Sequence, residues 1–117
     1  MSKDIRTVRP PVQLLPKAII AVKSASTAKA DLEVMATQVA QMTTACCQEN
    51  IQVDSIIITF GGIKDITKRV KLLTEQKDIR YLIIYSGKQI ADNESEYLSF
   101  KRDMQDWYNL QVICYRW

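Results

Sequence analysis

The chain has 117 residues, 47% hydrophobic and 25% charged, with 16 Lys and Arg against 13 Asp and Glu for a formal charge of +3. That length and balance describe one soluble globular domain and exclude a disordered chain. Histidine is absent, which removes the commonest general base and metal ligand and leaves Ser, Asp, Glu, Lys, Arg or Tyr for any chemistry.

The three cysteines, Cys46 and Cys47 side by side and Cys114 far downstream, match neither a zinc set nor a disulfide framework and read as buried structural thiols. No cofactor and no metal is expected. No apolar run reaches membrane-spanning length, and the opening MSKDIRTVRPPVQLLPK lacks a signal-peptide core, so a cytoplasmic protein that does not enter the membrane is expected. The mild positive charge permits a polyanionic partner without requiring one.

Residues 1–16 hold all three prolines and no clean periodicity, and read as an N-terminal arm laid against a single domain over 17–117. The run Ala18-Ile19-Ile20-Ala21-Val22 is short, apolar and partly β-branched, as a strand buried on both faces should be. A long helix follows from Thr27 or Ala28 to Glu49, with Leu32, Met35, Val39, Met42 and Cys46 on one face. A second strand, Ser55 to Phe60, ends at Gly61-Gly62, and Ile63, Ile66, Val70 and Leu73 mark a helix over 63–76 with Lys64, Lys68 and Lys71 outside. Arg80 to Ser86 forms the third strand. A helix over 93–108 is expected to turn Tyr97, Phe100, Met104 and Trp107 inward, and LQVICYR closes as a fourth strand. The alternation of strands and one-sided helices predicts an α/β three-layer sandwich around a mostly parallel sheet of about four strands.

Ligands of such sheets bind at the carboxyl ends of the strands, which directs attention to 23–29, 61–65 and 86–93. The first loop, KSASTAKA, brings hydroxyls and backbone N–H groups to a helix start, where phosphate oxygens bind readily. It resembles the hydroxyl-rich phosphate loop of flavodoxins, without the glycine that lets backbone approach a phosphate. Ser26 and Thr27 are also ordinary N-caps. Ser24 stands at the end of the strand beside Lys23, where its hydroxyl is expected to project into the cleft and can act as a nucleophile if a base and a cation assist it. Lys23, Lys29 and Lys88 are the nearby cations, and Asp92 or Asn93 is expected to cap the last helix. Phosphate contacts are assigned to Lys23, Ser26, Lys29 and Lys88. At the end of the chain, Tyr115, Arg116 and Trp117 are expected to pack.

IAVKS over 20–24, DLEVMATQ at the start of the long helix, and LIIYSGKQIADN followed by YLSFKRDMQDWYNLQVI together resemble the N-terminal catalytic domain of serine recombinases, the resolvase/invertase family, over about residues 17 to 115. The resemblance implies a resolvase-like fold of the flavodoxin-like class, and places Ser24 on the serine that in the family attacks a DNA phosphodiester and becomes phosphoserine-linked. It also implies departures. Val22 stands where the family has a phosphate-binding arginine, Lys88 and Gln89 replace an Asp-Arg pair, and Asp92 replaces a further arginine. One lysine or a carboxylate does not reproduce the two-pronged guanidinium, and losing one such contact costs roughly 10²- to 10³-fold in rate. The family's dimerisation helix and DNA-recognition module, which follow the catalytic domain, have no counterpart up to Trp117. The expectation is a degenerate recombinase-like domain, impaired in catalysis, that acts through a protein partner, self-association or weak non-specific DNA contact. The alternative is a small module binding a phosphate-bearing ligand between Ser24 and Lys29, with Lys88 opposite.

Overall fold

The computed structural model describes residues 15–116, so most of the expected arm, and Trp117, lie outside the described residues. Four strands, β1 (Lys17–Lys23), β2 (Gln52–Thr59), β3 (Tyr81–Ile84) and β4 (Gln111–Cys114), alternate with four helices, α1 (Lys29–Gln48), α2 (Ile63–Thr74), the short α3 (Gly87–Ile90) and α4 (Glu94–Tyr108). The strands form one sheet in the order β2-β1-β3-β4, with every pairing parallel. Parallel strands need helical crossovers, which cover the sheet on both faces.

That position explains the composition of β1. With hydrogen-bonded neighbours on both sides and helices on both faces, Ala18, Ile19, Ile20, Ala21 and Val22 are all completely buried. Their side chains alternate between two cores. Ile19 and Ala21 join Ile57, Ile66, Val70, Leu82, Ile84, Tyr97, Phe100 and Met104 on the side of α2 and α4. Ala18, Ile20 and Val22 join Met42, Cys46 and Ile83 under α1.

β2 is an edge strand with a register shift: Ala18 pairs with Val53 and Ile19 with Ser55, so Asp54 is the extra residue. An extra residue reverses the alternation beyond it, which takes Ile57 into the α2 core and leaves Ile56 and Ile58 beside α1, 47% and 38% exposed. The edge is guarded. Arg69 donates to the outward Ile58 carbonyl at 2.8 Å, and Asp54 accepts from Ser55 at 2.6 Å and Lys77 at 3.0 Å. Those donors hold the Asp54 carboxyl below its ordinary pKa, Ser55 first and Lys77 after it.

Several boundaries differ from the sequence expectation. α1 starts at Lys29 with Ala28 as its N-cap and no side-chain capping bond, so neither Ser26 nor Thr27 caps it. Asn93, and not Asp92, caps α4: its side chain accepts from the Glu96 N–H at 2.8 Å while Glu96 reaches back to the Asp92 N–H at 2.8 Å, a reciprocal capping arrangement. Trp107 is 77% exposed. The inward stripe of α4 runs through Tyr97, Phe100 and Met104 to Tyr108 instead, because a 3.6-residue period drifts away from a 3-4-3 spacing by the fourth contact. At the C-terminus Tyr115 stacks on Tyr85 with centroids 5.7 Å apart, and Arg116 donates to the Tyr85 hydroxyl at 3.3 Å.

Candidate functional site

The carboxyl ends of β1 and β3 meet between α1 and the short helix α3. Ser24 remains in the ladder through its N–H, which donates to the Thr59 carbonyl at 2.9 Å. Its side chain is only 2% exposed, and its hydroxyl donates to the Ser26 carbonyl at 2.8 Å. Ser24 therefore does not project freely into a cleft. It lies against a cavity of about 300 Å³ lined also by Lys23, Ala25, Asp31, Val34, Met35, Gln38 and Gln89, with α1 as one wall.

Ser26 is equally committed. Its hydroxyl donates to Asp31 at 2.5 Å and accepts from the Ala28 N–H at 3.0 Å. The serine expected to hold a phosphate instead ties the loop to a carboxylate on the first turn of α1, where negative charge suits the helix dipole.

Gln89 is the side chain that sequence reasoning missed. Its amide donates to the Lys23 carbonyl at 3.1 Å and to Gln38 at 2.8 Å, while its Oε1 accepts from the Lys23 N–H at 3.4 Å. The carboxamide thus pairs with one backbone unit at the end of β1 as a neighbouring strand would, and fastens β1, α1 and α3 together. The position one residue after Lys88 was the available signal. A glutamine in place of the arginine that the resemblance implies brings an amide that can both donate to and accept from backbone.

Lys88 takes no part in this network. It is exposed, and its N–H donates to Ser86 at 3.2 Å in capping α3. It lines a different cavity, about 520 Å³, with Gly87, Ala91, Asp92, Asn93, Glu94 and Tyr97. The expected pairing of Lys88 across from Ser24 is not formed. Lys29 is exposed at the start of α1 and Lys23 is half-buried, so of the residues proposed for the site only Lys23, Ser24 and Ser26 are brought together. Gly62 helps to set this end of the sheet: a Cβ there would lie 3.2 Å from the Ile90 carbonyl, so its absence lets α3 close against the start of α2.

Among the described residues no guanidinium lines the Ser24 cavity. Arg69 is bound to the Ile58 carbonyl on the far edge of β2 and to Asp65 at 3.4 Å. Among the described residues no group of three or more His, Cys, Asp or Glu side chains is placed to hold a metal ion, and no helix is long and apolar enough to cross a membrane. Elsewhere, the Tyr97 hydroxyl and Cys114 thiol are 2.9 Å apart, and burial, followed by that contact, raises the Tyr97 pKa.

An all-parallel sheet in the order β2-β1-β3-β4 is the doubly wound arrangement of the flavodoxin-like class. Comparison with solved structures narrows this to a serine-recombinase-like fold. The chain is similar to a resolvase family site-specific recombinase from Streptococcus pneumoniae, with a TM-score of 0.71 and 15% identity over 85% of this chain and 71% of that one. It is also similar to the C-terminal catalytic domain of an IS607-like serine recombinase, with a TM-score of 0.68 and 12% identity over 86% of this chain and 69% of that one. No protein-family model and no curated protein matches the sequence.

Proposed function

We propose that this chain is a catalytically silent serine-recombinase-like domain that works by binding, through a protein partner and weak association with DNA, in a cytoplasmic setting. The observation that carries the reading is the closed network around Ser24. The hydroxyl proton is held by the Ser26 carbonyl, which cannot act as a base, and the neighbouring polar groups satisfy one another through Asp31, Gln38 and Gln89. A nucleophilic serine needs a proton acceptor and a cation facing the developing phosphorane charge. Here the cavity presents the Asp31 carboxylate with a single half-buried lysine, Lys23, and no guanidinium. The same carboxylate, and the commitment of Ser26 to it, argue against a phosphate-bearing ligand at this loop. Of the three cysteines expected to be buried only Cys46 is; Cys114 is half-buried and Cys47, on the outer side of α1, is exposed.

The test is a denaturing-gel search for a covalent protein–DNA adduct on supercoiled and pre-nicked substrates. Neither the wild-type chain nor Ser24→Ala is expected to form one. A wild-type adduct that disappears in Ser24→Ala would overturn the reading.

A further inference from the structure

Helix α2 carries Lys64, Lys68, Arg69 and Lys71 against a single acid, Asp65. Its surplus of three positive charges equals the formal +3 of the whole chain, so the rest of the sequence is balanced and the net charge resides on one twelve-residue helix. Within that helix the charges follow two different rules. Asp65 and Arg69, four residues apart with the acid first, form an ion pair, the favourable order on a helix. Lys64, Lys68 and Lys71 are all exposed, and among the described residues none has a carboxylate within ion-pair distance.

Lys71, in the last turn, suits the helix dipole, but nothing in the folding of α2 calls for Lys64 or Lys68. The three lysines fall at i, i+4 and i+7, one stripe of the surface, so each meets a like charge on the adjoining turn, an arrangement that weakens a helix. Lys64 lies in the first turn, where the helix dipole opposes a cation. The buried anchors that hold the helix, Ile66 and Val70, are indifferent to what the outer stripe carries. A stripe that costs the helix stability and has no internal partner is suited to an external anion. Its length suits a repeating one: the three lysines are spread over about 10.5 Å of helix, more than the spacing of about 3.4 Å along the duplex axis between phosphates of one DNA strand, so each lysine can reach a separate phosphate.

We propose that the Lys64-Lys68-Lys71 stripe is a phosphodiester-backbone contact, on which about three consecutive phosphates of a nucleic acid lie along α2, away from the Ser24 cavity. This sharpens the DNA association proposed above by naming its surface. A cleaving protein would use the stripe equally well, so the adduct assay and the experiment below succeed or fail independently.

The experiment is fluorescence anisotropy of the full chain with a labelled 20-base-pair duplex and with the matching single strand, titrated from 50 to 200 mM salt. Three phosphate contacts give a log–log slope of about −2.7 on the duplex and about −2.1 on the single strand, so duplex affinity falls about forty-fold over that range. The triple variant Lys64→Gln, Lys68→Gln, Lys71→Gln should lose that slope while melting no lower than the wild type. Should the triple variant fail to fold, each single variant is expected to lower the duplex slope by about 0.9, and Lys101→Gln on α4 to leave it unchanged. Wild-type slope retained in these variants, no anisotropy change at 50 mM salt, or equal binding to phosphatidylserine vesicles would each overturn the proposal.

Discussion

α1 and α2 do the same structural task with opposite surfaces. Each connects two parallel strands and anchors itself by two buried residues one turn apart, Met42 and Cys46 in α1 and Ile66 and Val70 in α2. Outside those anchors they diverge. From Val34 to Gln48 α1 has no Lys, Arg, Asp or Glu, whereas α2 concentrates the chain's net charge. α1 also leaves the sheet beside it incompletely covered, with Ile56 and Ile58 exposed on the edge strand, while α2 shares its core with α4. The sheet dictates the inner face of a crossover helix and almost nothing of the outer one. The outer faces are accordingly free to differ, uncharged and partly apolar beside α1 and cationic on α2, in keeping with the protein and polyanion contacts proposed above.

The comparison is tested most strongly at the anchors. Met42→Ala and Ile66→Ala, each removing a completely buried side chain, are expected to cost about 2–5 kcal/mol apiece in urea denaturation. A loss at Met42 below about 1 kcal/mol would show that α1 is not held by its core face, and the equivalence of the two helices would fail. A smaller effect is expected at Gln89, which ties α1 to the ends of β1 and β3. Gln89→Ala removes its hydrogen bonds and leaves Lys23 and Gln38 polar groups without that partner, at about 1–3 kcal/mol. Gln89→Glu keeps the shape but cannot donate, and should recover little of the loss.

The smallest effect concerns pH at the guarded edge of β2. The folded-state pKa of Asp54 is depressed, so its charged form contributes stability above the ordinary carboxylate range, and that contribution is lost as pH falls through the folded pKa. Between about pH 5 and pH 3 the wild-type chain should lose stability more steeply than Asp54→Asn in parallel urea titrations. Equal slopes for the two proteins would remove Asp54 from the account of the edge.

The element order was legible because each strand is a compact apolar run and each long helix has a regular inward stripe. β1 was the clearest, since AIIAV satisfies both faces at once. What escaped notice was local. α3 is one turn long, GKQI, and a single turn has no periodicity to detect. Trp107 completes a 3-4-3 spacing with Tyr97, Phe100 and Met104, and hydrophobicity alone does not reveal that Tyr108 takes the next inward place. At the site, hydroxyls and lysines could be counted from the sequence, but their commitments could not. Whether Ser24 faces solvent or the Ser26 carbonyl depends on where the loop turns, and the Gln89 pairing joins residues 66 positions apart.

The strand order also governs how the sheet can assemble during synthesis. β1 and β2 pair as soon as α1 has been made between them, and the opposite edge of β1 then waits for β3. β4 completes the sheet by adding to β3. Every strand after the first can thus join an edge already present, and no strand has to be inserted between two that have paired. Parallel sheets form slowly because their contacts join distant segments, but here the chain emerges in an order that lets the sheet grow outward from its most buried strand. The uncharged SIIITF segment around β2 gains the most: its partner strand precedes it from the ribosome, so it can be sheltered on one side as soon as it appears.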